Sequence, residues 1–441
     1  MKKTILWIIV LIYYTVNYAQ VTNQGLPKSV SLTGKSSHVP VVTMPSFDLK
    51  KVQEEDAIND SKGKPFRFGY EFAVDLGIEN AGVWDELPNG DKIWRISILS
   101  KGANTLNFIF DSYVLPEGAS VYLYNDDKSF LLGAYTSKMN NDNKSLGTWI
   151  ADGEKITIEY NVPANTQNNG ELHIGSVVHG YRSVSNFETH QKRLNDSGPC
   201  NLDVNCEIGR DFDPLKDMVK KSVVLILSSG NDWCTGTLIN NTSNNKAPYI
   251  LTANHCRGNE ANWSFRFNWI STNTVCATTA NSIDNGPENY FQTTSGATVL
   301  ANNSESDMEL VEIIGGLDET WDLEWAGWDR SGVAPGQVFG IHHPSGDIMK
   351  VCREDQPPTK ITINFEGNPT TEVWQIADWD LGVTERGSSG SAIFDENGRI
   401  VGQLAGGFAA CNGTDDNNTE DWYGRFDISW DFGTTDNTRL S

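Results

Sequence analysis

The chain is patterned by short runs in which hydrophobic and polar residues alternate. Between about 68 and 182 the alternation is clearest at 94–98, 106–110, 121–124 and 156–160. Residues that favour turns separate these runs, as at 88–90, 125–127 and 152–153. Because side chains on a β-strand point alternately to its two faces, a period of two predicts half-buried strands. Many short strands with regular turns predict an antiparallel β-sandwich over about 68–182.

The same kind of pattern resumes in a second unit, after a polar segment at 183–199. Its predicted strands cover 223–227, 249–252, 309–313, 337–341, 392–394 and 400–404. The sequence has no long amphipathic helical pattern and no internal repeat, so this unit is also predicted to be mainly β. Residues 20 to about 65 are polar and interrupted by Gly, Pro and Ser, and we expect them to be loosely structured. The predicted fold class is therefore all-β, in two units.

The N-terminus has the pattern of an export signal. Lys2 and Lys3 precede an apolar run at 5–16, and Ala19 offers a small residue for cleavage. The run is shorter than the roughly 20 residues that a membrane-spanning helix needs, which leaves an uncleaved anchor as the alternative. We expect 1–19 to be a signal peptide and the mature protein to be secreted, extracellular or periplasmic, without membrane attachment.

Composition and charge narrow the class of protein. Hydrophobic residues make up 38% and charged residues 21%, which is typical of globular proteins. The formal net charge is −23, and this argues against a nucleic-acid partner because phosphate binding needs a basic surface.

All seven cysteines lie from residue 200 onward, at positions 200, 206, 234, 256, 276, 352 and 411. In an exported protein disulfides are the default interpretation. A zinc site is the alternative, but the chain has no C-x-x-C pair and no cluster of His and Cys at metal spacing. The odd number leaves one thiol over. Because metal-ligand spacing is missing, we expect no metal, and we expect no cofactor.

Two short segments carry the candidate chemistry. The first is TANHC at 252–256, which places His255 directly after an apolar strand, and the second is GSSGS at 387–391, which places Ser389 in a glycine-flanked turn. An acyl-transferring hydrolase needs a hydroxyl nucleophile, a base to deprotonate it and an oxyanion site, and backbone N–H groups of such a turn can form that site. Each residue alone is a weak indication, and their joint presence is a stronger one.

An acid between them in chain order would complete a triad. Asp307 begins an alternating strand, so the core can fix it while its carboxylate reaches the imidazole of His255. Its role would be to hold the neutral tautomer and to stabilise the imidazolium as it forms. Asp322 and Asp329 are the competing acids.

The order and flanking residues of several segments resemble those of the chymotrypsin-fold serine endopeptidases, most closely the bacterial lysyl endopeptidases. The matching segments are CNLDVNC at 200–206, CTGTLINN at 234–241, LTANHC at 251–256, WAGWDR at 325–330, IHHP at 341–344, GVTE at 382–385, GSSGS at 387–391 and YGR at 423–425. The similarity covers about 198–435. It implies two six-stranded β-barrels with the active site in the cleft between them.

Carried over by motif, the resemblance makes His255 the general base, Asp307 its orienting acid and Ser389 the nucleophile. The oxyanion donors would be the backbone N–H groups of Gly387 and Ser389. The resemblance also implies three disulfides and leaves Cys352 as a free, buried thiol; the pairs are Cys200–Cys411, Cys206–Cys276 and Cys234–Cys256. His342 and His343 match a family segment outside the triad, and we expect them to be structural.

Specificity follows from a second set of matches. Trypsin-like enzymes carry an acid six positions before the nucleophile, where this chain has Val383. Lysyl endopeptidases place the acid near the C-terminus instead, and Asp421 matches it, with Glu420 as the nearest rival. Gly406 and Gly407 would leave room along the pocket wall, and Thr384 is assigned to the same pocket.

One residue departs from the family pattern. Ala405 stands where the lysyl enzymes have a pocket histidine, so the preference for lysine over arginine stays open. The same alanine argues against a glutamyl endopeptidase, which uses a histidine in that strand to bind acidic side chains.

The first unit is expected to act as a prodomain. Ser388 precedes the nucleophile where vertebrate zymogens have an aspartate, so activation by an N-terminal ion pair is not expected. We expect 20–193 to be a propeptide that assists folding or blocks the cleft until it is cut near Lys192-Arg193, and 194–441 to be the protease domain. Related enzymes continue into a terminal helix beyond the position that matches residue 441, and whether further C-terminal domains follow stays open.

The expected protein is thus a monomeric zymogen of a serine endopeptidase that cleaves polypeptide substrates after lysine, with arginine left open. Its partners would be those substrates and its own prodomain. A catalytically weak homologue that acts in binding or adhesion is the main alternative. A third hypothesis makes the aromatic-bearing sandwich a carbohydrate-binding module.

Overall fold

The structure is a computed structural model that describes residues 25–31, 37–61, 65–182, 197–280, 283–284, 292–364 and 371–441. The predicted signal peptide at 1–19 and the dibasic pair Lys192-Arg193 lie outside the described residues. Strands dominate the described chain, which confirms the all-β class. Among its helices, none has the length and apolar character that crossing a membrane requires.

The first unit is a sandwich of two sheets. One sheet has, in spatial order, the strands Val41–Thr43, Lys92–Leu99, Lys155–Val162, Ser120–Tyr124 and Leu131–Thr136, with Val83–Glu86 also paired to Lys92–Leu99. The other has Ala151–Asp152, Thr105–Val114, Glu171–Gly180 and Gly69–Gly77, with Leu146–Gly147 also paired to Thr105–Val114. Residues of period two, among them Ile96, Phe108, Ile158 and Val177, are fully buried between the sheets. One pair is parallel, Val41–Thr43 with Ser97–Leu99, so the sandwich is not purely antiparallel.

Residues 20 to about 65 were expected to be loosely structured, and this prediction is wrong at Leu49–Ser61, which form an α-helix. We call this element the cleft helix. Among the described side chains of this helix only Val52 and Asp56 are buried, so the helix has no apolar stripe that its sequence could have revealed. Polar contacts hold the cleft helix instead, because Asp56 accepts hydrogen bonds from Arg67 Nε at 2.7 Å and from Tyr181 Oη at 2.6 Å.

The second unit contains two curled sheets, which form the pair of half-barrels expected of a chymotrypsin-like fold. The first has the strands Thr293–Ser295, Ser264–Phe267, Val223–Ser228, Asp232–Leu238, Tyr249–Ala253, Met308–Ile313 and Ala297–Asn303. The second has Leu202–Asp203, Lys350–Glu354, Val338–His342, Ala392–Phe394, Ile400–Gly407, Asp421–Arg425, Thr371–Ile376 and Thr359–Ile363. Short edge strands such as Leu202–Asp203 extend the sheets beyond the six strands expected of each.

The remaining elements are small. Two further strand pairs are Ser271–Asn273 with Ile283–Asp284 and Cys411–Asn412 with Asp415–Asp416. Two α-helices span Asp213–Val219 and Phe426–Trp430. Single turns of 3-10 helix lie at Lys28–Ser31, Ser137–Met139, Lys220–Ser222, Asn254–Cys256, Glu260–Asn262, Glu319–Trp321, Pro344–Gly346 and Asp436–Thr438.

One hydrophobic core extends across the two units, and the second unit has further cores of its own. Trp233 of the second unit is fully buried, and its ring stacks on Phe68 of the first with centroids 4.5 Å apart, while Trp149 lies 5.8 Å away. The short strand Phe66–Arg67 of the first unit pairs antiparallel with Asp232–Trp233, as an added strand of the first barrel sheet. The first unit is therefore packed on the second by both side chains and backbone.

Candidate active site

His255 lies where a buried strand of the first barrel sheet ends. Tyr249–Ala253 runs into the 3-10 turn Asn254–Cys256, and this turn carries the imidazole. The disulfide between Cys256 and Cys234 ties the turn to the neighbouring strand. The predicted base is thus held on both sides by the barrel.

Asp307 contacts His255 through both carboxylate oxygens. Its Oδ2 lies 2.6 Å from Nδ1 of the imidazole, and its Oδ1 accepts the backbone N–H of His255 at 2.8 Å. Because an ionised carboxylate can only accept, Nδ1 donates and the lone pair stays on Nε2. Burial by itself lowers the pKa of His255, but the charge and hydrogen bond of Asp307 outweigh it, so the pKa is raised from 6.5.

The two competing acids are held elsewhere. Asp322 pairs with Lys221 at 2.6 Å, and Asp329 pairs with Arg399 at 2.8 Å. The structure therefore brings Asp307, and neither rival, to the imidazole.

The turn that carries Ser389 packs against the first barrel sheet, beside the turn that carries His255. The Ser389 carbonyl accepts the N–H of Thr235 at 2.8 Å and lies 3.9 Å from the Cys256 sulfur. Gly390 has a φ of +84°, and an added Cβ would lie 2.7 Å from the Ala253 nitrogen, so only glycine permits this approach. The imidazole Nε2 makes no hydrogen bond within the described chain. Such contacts often tighten only when substrate is bound.

The same turn offers unused backbone donors. Neither the Gly387 nor the Ser389 N–H donates a hydrogen bond to any part of the chain that the structure describes. Gly387 has a φ of +90°, and a Cβ there would lie 2.9 Å from the Ser345 nitrogen. Two free N–H groups beside a hydroxyl are what an oxyanion site requires.

His342 and His343 are buried behind this turn. Burial lowers the pKa of His342 to about 3 and that of His343 to about 4, so both imidazoles are neutral. His342 Nδ1 lies 2.7 Å from the Ser388 hydroxyl, and His343 Nδ1 lies 2.9 Å from the Asp347 carbonyl oxygen. His342 thus contacts the turn directly, while His343 is held by Asp347 and, through its backbone N–H, by the Thr235 hydroxyl.

A cavity of about 420 Å³ opens beside Ser389, and Asp421 forms part of its wall with Thr384, Gly406 and Gly407. Asp421 is 2% exposed, and its Oδ2 accepts hydrogen bonds from Trp379 Nε1 and Thr384 Oγ1, each at 2.7 Å. Burial outweighs these bonds and raises the pKa of Asp421 to about 7.

Of the other residues considered for the pocket, Gly407 lines the cavity and Glu420 does not. Gly407 leaves room for the carboxylate, because a Cβ there would lie 2.0 Å from Asp421 Oδ1. Glu420, the rival acid, hydrogen-bonds to Gln375 and does not line the cavity. Trp379 is a contact that the sequence did not indicate, because it reaches the acid from a loop between two strands.

Two residues of the first unit also line this cavity. They are Asp60, at the end of the cleft helix, and Phe66 of the added strand. Arg182 contacts both residues, since its Nη1 donates to Asp60 Oδ2 at 2.8 Å and its guanidinium lies 4.1 Å from the centre of the Phe66 ring. No sequence motif marks this contact, because it arises from the docking of two units.

The cysteines form three disulfides in the structure, with the pairs that the resemblance implies. They are Cys200–Cys411, Cys206–Cys276 and Cys234–Cys256, and Cys352 is a buried free thiol.

Comparison with known proteins gives a consistent result for the second unit. The model of the family described as "Lysyl endopeptidase, C-terminal domain" matches residues 194–424. The lysyl endopeptidase of Pseudomonas aeruginosa is 26% identical over 335 residues, which cover 74% of this chain and 70% of that protein.

Solved structures are more distant. The HtrA-type protease AlgW with a tripeptide is 16% identical, with a TM-score of 0.35 over 48% of this chain and 59% of its own. The Rv3671c protease from M. tuberculosis in its active form is 14% identical, with a TM-score of 0.34 over 53% of this chain and 92% of its own.

Proposed function

The chain belongs to the lysyl endopeptidase family, and on that basis we propose that it is a secreted serine endopeptidase that cleaves polypeptides after lysine. The observation that carries the proposal is the two-point contact of Asp307 with His255, beside the turn that bears Ser389. This contact fixes one tautomer of the imidazole and aims its free nitrogen away from the acid.

The reaction would proceed through an acyl-enzyme. The Ser389 hydroxyl attacks the carbonyl carbon of the substrate while Nε2 of His255 takes its proton. The Gly387 and Ser389 N–H groups donate to the oxyanion of the tetrahedral intermediate. The imidazolium then returns the proton to the departing amine. Water, activated by the same imidazole, hydrolyses the ester and releases Ser389.

Specificity would come from Asp421. An ionised carboxylate at the wall of the cavity can pair with the ammonium of a lysine side chain, and its hydrogen bonds from Trp379 and Thr384 hold it in place. The small residues Ala405, Gly406 and Gly407 leave the cavity open to a long side chain.

The first unit would keep the enzyme inactive until it is processed. Asp60 and Phe66 line the cavity that a substrate side chain would enter, which supports a propeptide over 20–193. An enzyme specific for basic residues could make the cut near Lys192-Arg193 itself. Three disulfides support an extracellular or periplasmic location, after removal of a signal peptide at 1–19. The mature protein would be a monomer without membrane attachment.

The decisive experiment compares the wild type with Ser389→Ala. Both chains are expressed with their N-terminal segment, the first unit of each is removed by the same added protease, and hydrolysis of lysyl, arginyl and glutamyl peptide esters is then measured. We expect the wild type to prefer the lysyl ester and the variant to lose activity by several orders of magnitude. Loss of only a few-fold would count against a serine nucleophile and favour a weak homologue. N-terminal sequencing of the secreted protein tests the site of processing.

A further inference from the structure

Phe408 is an aromatic residue that stays exposed beside the cavity of Ser389. Among the Phe, Tyr and Trp side chains that the structure describes, it alone is exposed, with an exposed fraction of 64%. It directly follows the strand Ile400–Gly407 and lines the same cavity as Ser389. A single exposed hydrophobic residue needs no explanation in general, but this one lies at the proposed site of cleavage.

The backbone of Phe408 is fixed at both of its polar groups. Its N–H donates to the Glu420 carbonyl at 2.8 Å. Its own carbonyl accepts from Asn417 Nδ2 at 2.8 Å and from Thr419 Oγ1 at 2.6 Å. The disulfide at Cys411, three residues further on, anchors the same loop. Because the loop is held before a ligand arrives, little conformational freedom is lost when one binds.

The ring of Phe408 packs edge-on against the ring of Trp422. Their centroids lie 5.2 Å apart and their planes meet at 78°, an arrangement that aromatic pairs favour. The next two residues, Ala409 and Ala410, also line the cavity and add no charge to it. We call Phe408, Ala409 and Ala410 the apolar rim. It offers apolar surface that a ligand can remove from water.

The first unit does not cover the apolar rim. It contributes Asp60 and Phe66 to the lining of the cavity, yet Phe408 keeps its exposed fraction of 64% in their presence. An occupant of the rim must therefore come from outside the described chain. Because the rim is continuous with the cavity proposed to receive a polypeptide, the occupant that fits is a second side chain of that polypeptide.

The spacing along the strand sets the distance between Phe408 and the cleaved bond. The turn of Ser389 is bonded to Leu404, whose carbonyl accepts the Gly390 N–H at 2.9 Å. Phe408 follows Leu404 by four residues, and at about 3.3 Å per residue in a strand this is about 13 Å. An extended substrate covers such a distance with about four residues, and the length of two facing side chains shortens the span. Phe408 would therefore meet a side chain about two to four positions from the scissile bond.

We propose that Phe408 is a specificity-determining residue, which binds an aromatic or large aliphatic side chain of the substrate about two to four positions from the scissile bond. The inference rests on the proposed endopeptidase function and adds a second contact to that of Asp421 with lysine. An apolar residue at this position packs on the ring of Phe408, and apolar surface of both side chains leaves water.

The test compares peptides that each contain a single lysine. Phe, Leu or Gln is placed in turn at the second, third and fourth positions on either side of the lysine, and kcat/KM is measured for each enzyme after an added protease has removed the first unit. We expect one position at which Phe exceeds Gln by about tenfold, equivalent to about 1.4 kcal/mol. Phe408→Ser should reduce this ratio to near one, and Phe408→Leu should retain part of it.

Controls separate an apolar contact from a general change of the site. Val333→Ser alters a residue that is 71% exposed and does not line the cavity, so it should leave the Phe-to-Gln ratio as in the wild type. Phe408→Ser should leave hydrolysis of a lysyl ester without neighbouring residues unchanged, because that substrate does not reach the rim. On the Phe peptide the same variant should raise KM at an unchanged kcat, as loss of uniform binding does. Added sodium chloride should not lower the ratio, since salt screens charges and not apolar contacts.

Each outcome bears on one claim. No apolar preference at any of these positions in the wild type, or the same Phe-to-Gln ratio in the wild type and Phe408→Ser, would overturn the inference while leaving lysyl cleavage intact. A loss of equal size on the ester and on every peptide would give Phe408 a structural role only, and would overturn the inference as well. A wild type that cleaves no lysyl peptide would refute the proposed function, and the inference with it.

Discussion

Asp421→Asn tests the proposed specificity at one atom. The carboxylate is 2% exposed, and its Oδ2 accepts from Trp379 and Thr384. An asparagine Oδ1 can accept the same two hydrogen bonds, so the wall of the cavity should keep its shape. What changes is the charge available to a lysine ammonium.

The expected magnitude follows from the burial of this group. Removing one partner of a buried charge pair costs about 2–5 kcal/mol, which corresponds to roughly 30-fold to several thousand-fold in kcat/KM. The pH dependence gives a second measure. The pKa of Asp421 is raised to about 7, so the acid is neutral at low pH and ionises as the pH rises through that value. The pKa of His255 is also raised from 6.5, so two protons must leave for full activity.

The assay is kcat/KM on lysyl peptides from pH 4 to 9 with the processed enzyme. Two residues of the first unit line the same cavity, so for the processed enzyme we expect the pKa of Asp421 to be no higher than about 7. The acid limb of log kcat/KM should approach a slope of two in the wild type and of one in Asp421→Asn. Glu420→Gln is the matched control and should behave as the wild type. Undiminished cleavage after lysine by Asp421→Asn would refute the reasoning.

Three further variants test the other parts of the structure. Asp307→Asn should lower kcat by about 10⁴, because the imidazole loses the acceptor that fixes its tautomer, and a loss under tenfold in ester hydrolysis would contradict this. Trp233→Ala should lower the free energy of unfolding of the full chain by about 3–5 kcal/mol in urea titrations, because it empties the core shared by the two units. An unchanged urea midpoint would argue against that core. Replacing Cys234 and Cys256 together by serine should cost about 3 kcal/mol in the same titration and lower kcat as well, since the bond ties down the turn of His255. Full activity in this variant would show that the turn does not need the bond.

Each of the ten strands predicted from the sequence overlaps a strand of the structure, because an alternating or apolar run marks it, but others such as Asp232–Leu238 and Asp421–Arg425 carried no prediction. The strands of the first unit that were expected to be half-buried are buried on both faces instead. The predicted strand 94–98 lies within Lys92–Leu99, and its residues Ile96 and Ile98 are fully buried. His255 and Ser389 of the proposed triad were indicated by local motifs of about five positions each, and Asp307 by its place between them at the start of an alternating strand. Their geometry could not be derived from composition, since Asp307 and His255 are 52 residues apart in sequence.

The parts that the sequence did not reveal depend on contacts between distant polar groups. The cleft helix has no apolar stripe, so its position follows from Asp56, Arg67 and Tyr181 and not from hydrophobic period. Trp379 has no spacing that marks it as a partner of Asp421. The approach of Phe66 to the cavity of Ser389 joins residues more than 300 positions apart, which no local pattern encodes.

The shared core also bears on the proposed processing of the chain. A cut near Lys192-Arg193 breaks one connection but removes none of the contacts around Trp233, which is fully buried against Phe68 and Trp149. Burial of large aromatic rings contributes several kcal/mol, and the cut leaves that contribution in place. We therefore expect the cut first unit to remain bound, with Asp60 and Phe66 still at the cavity, until it is itself degraded. Separate elution of the two fragments in size-exclusion chromatography directly after cleavage would contradict this order of events.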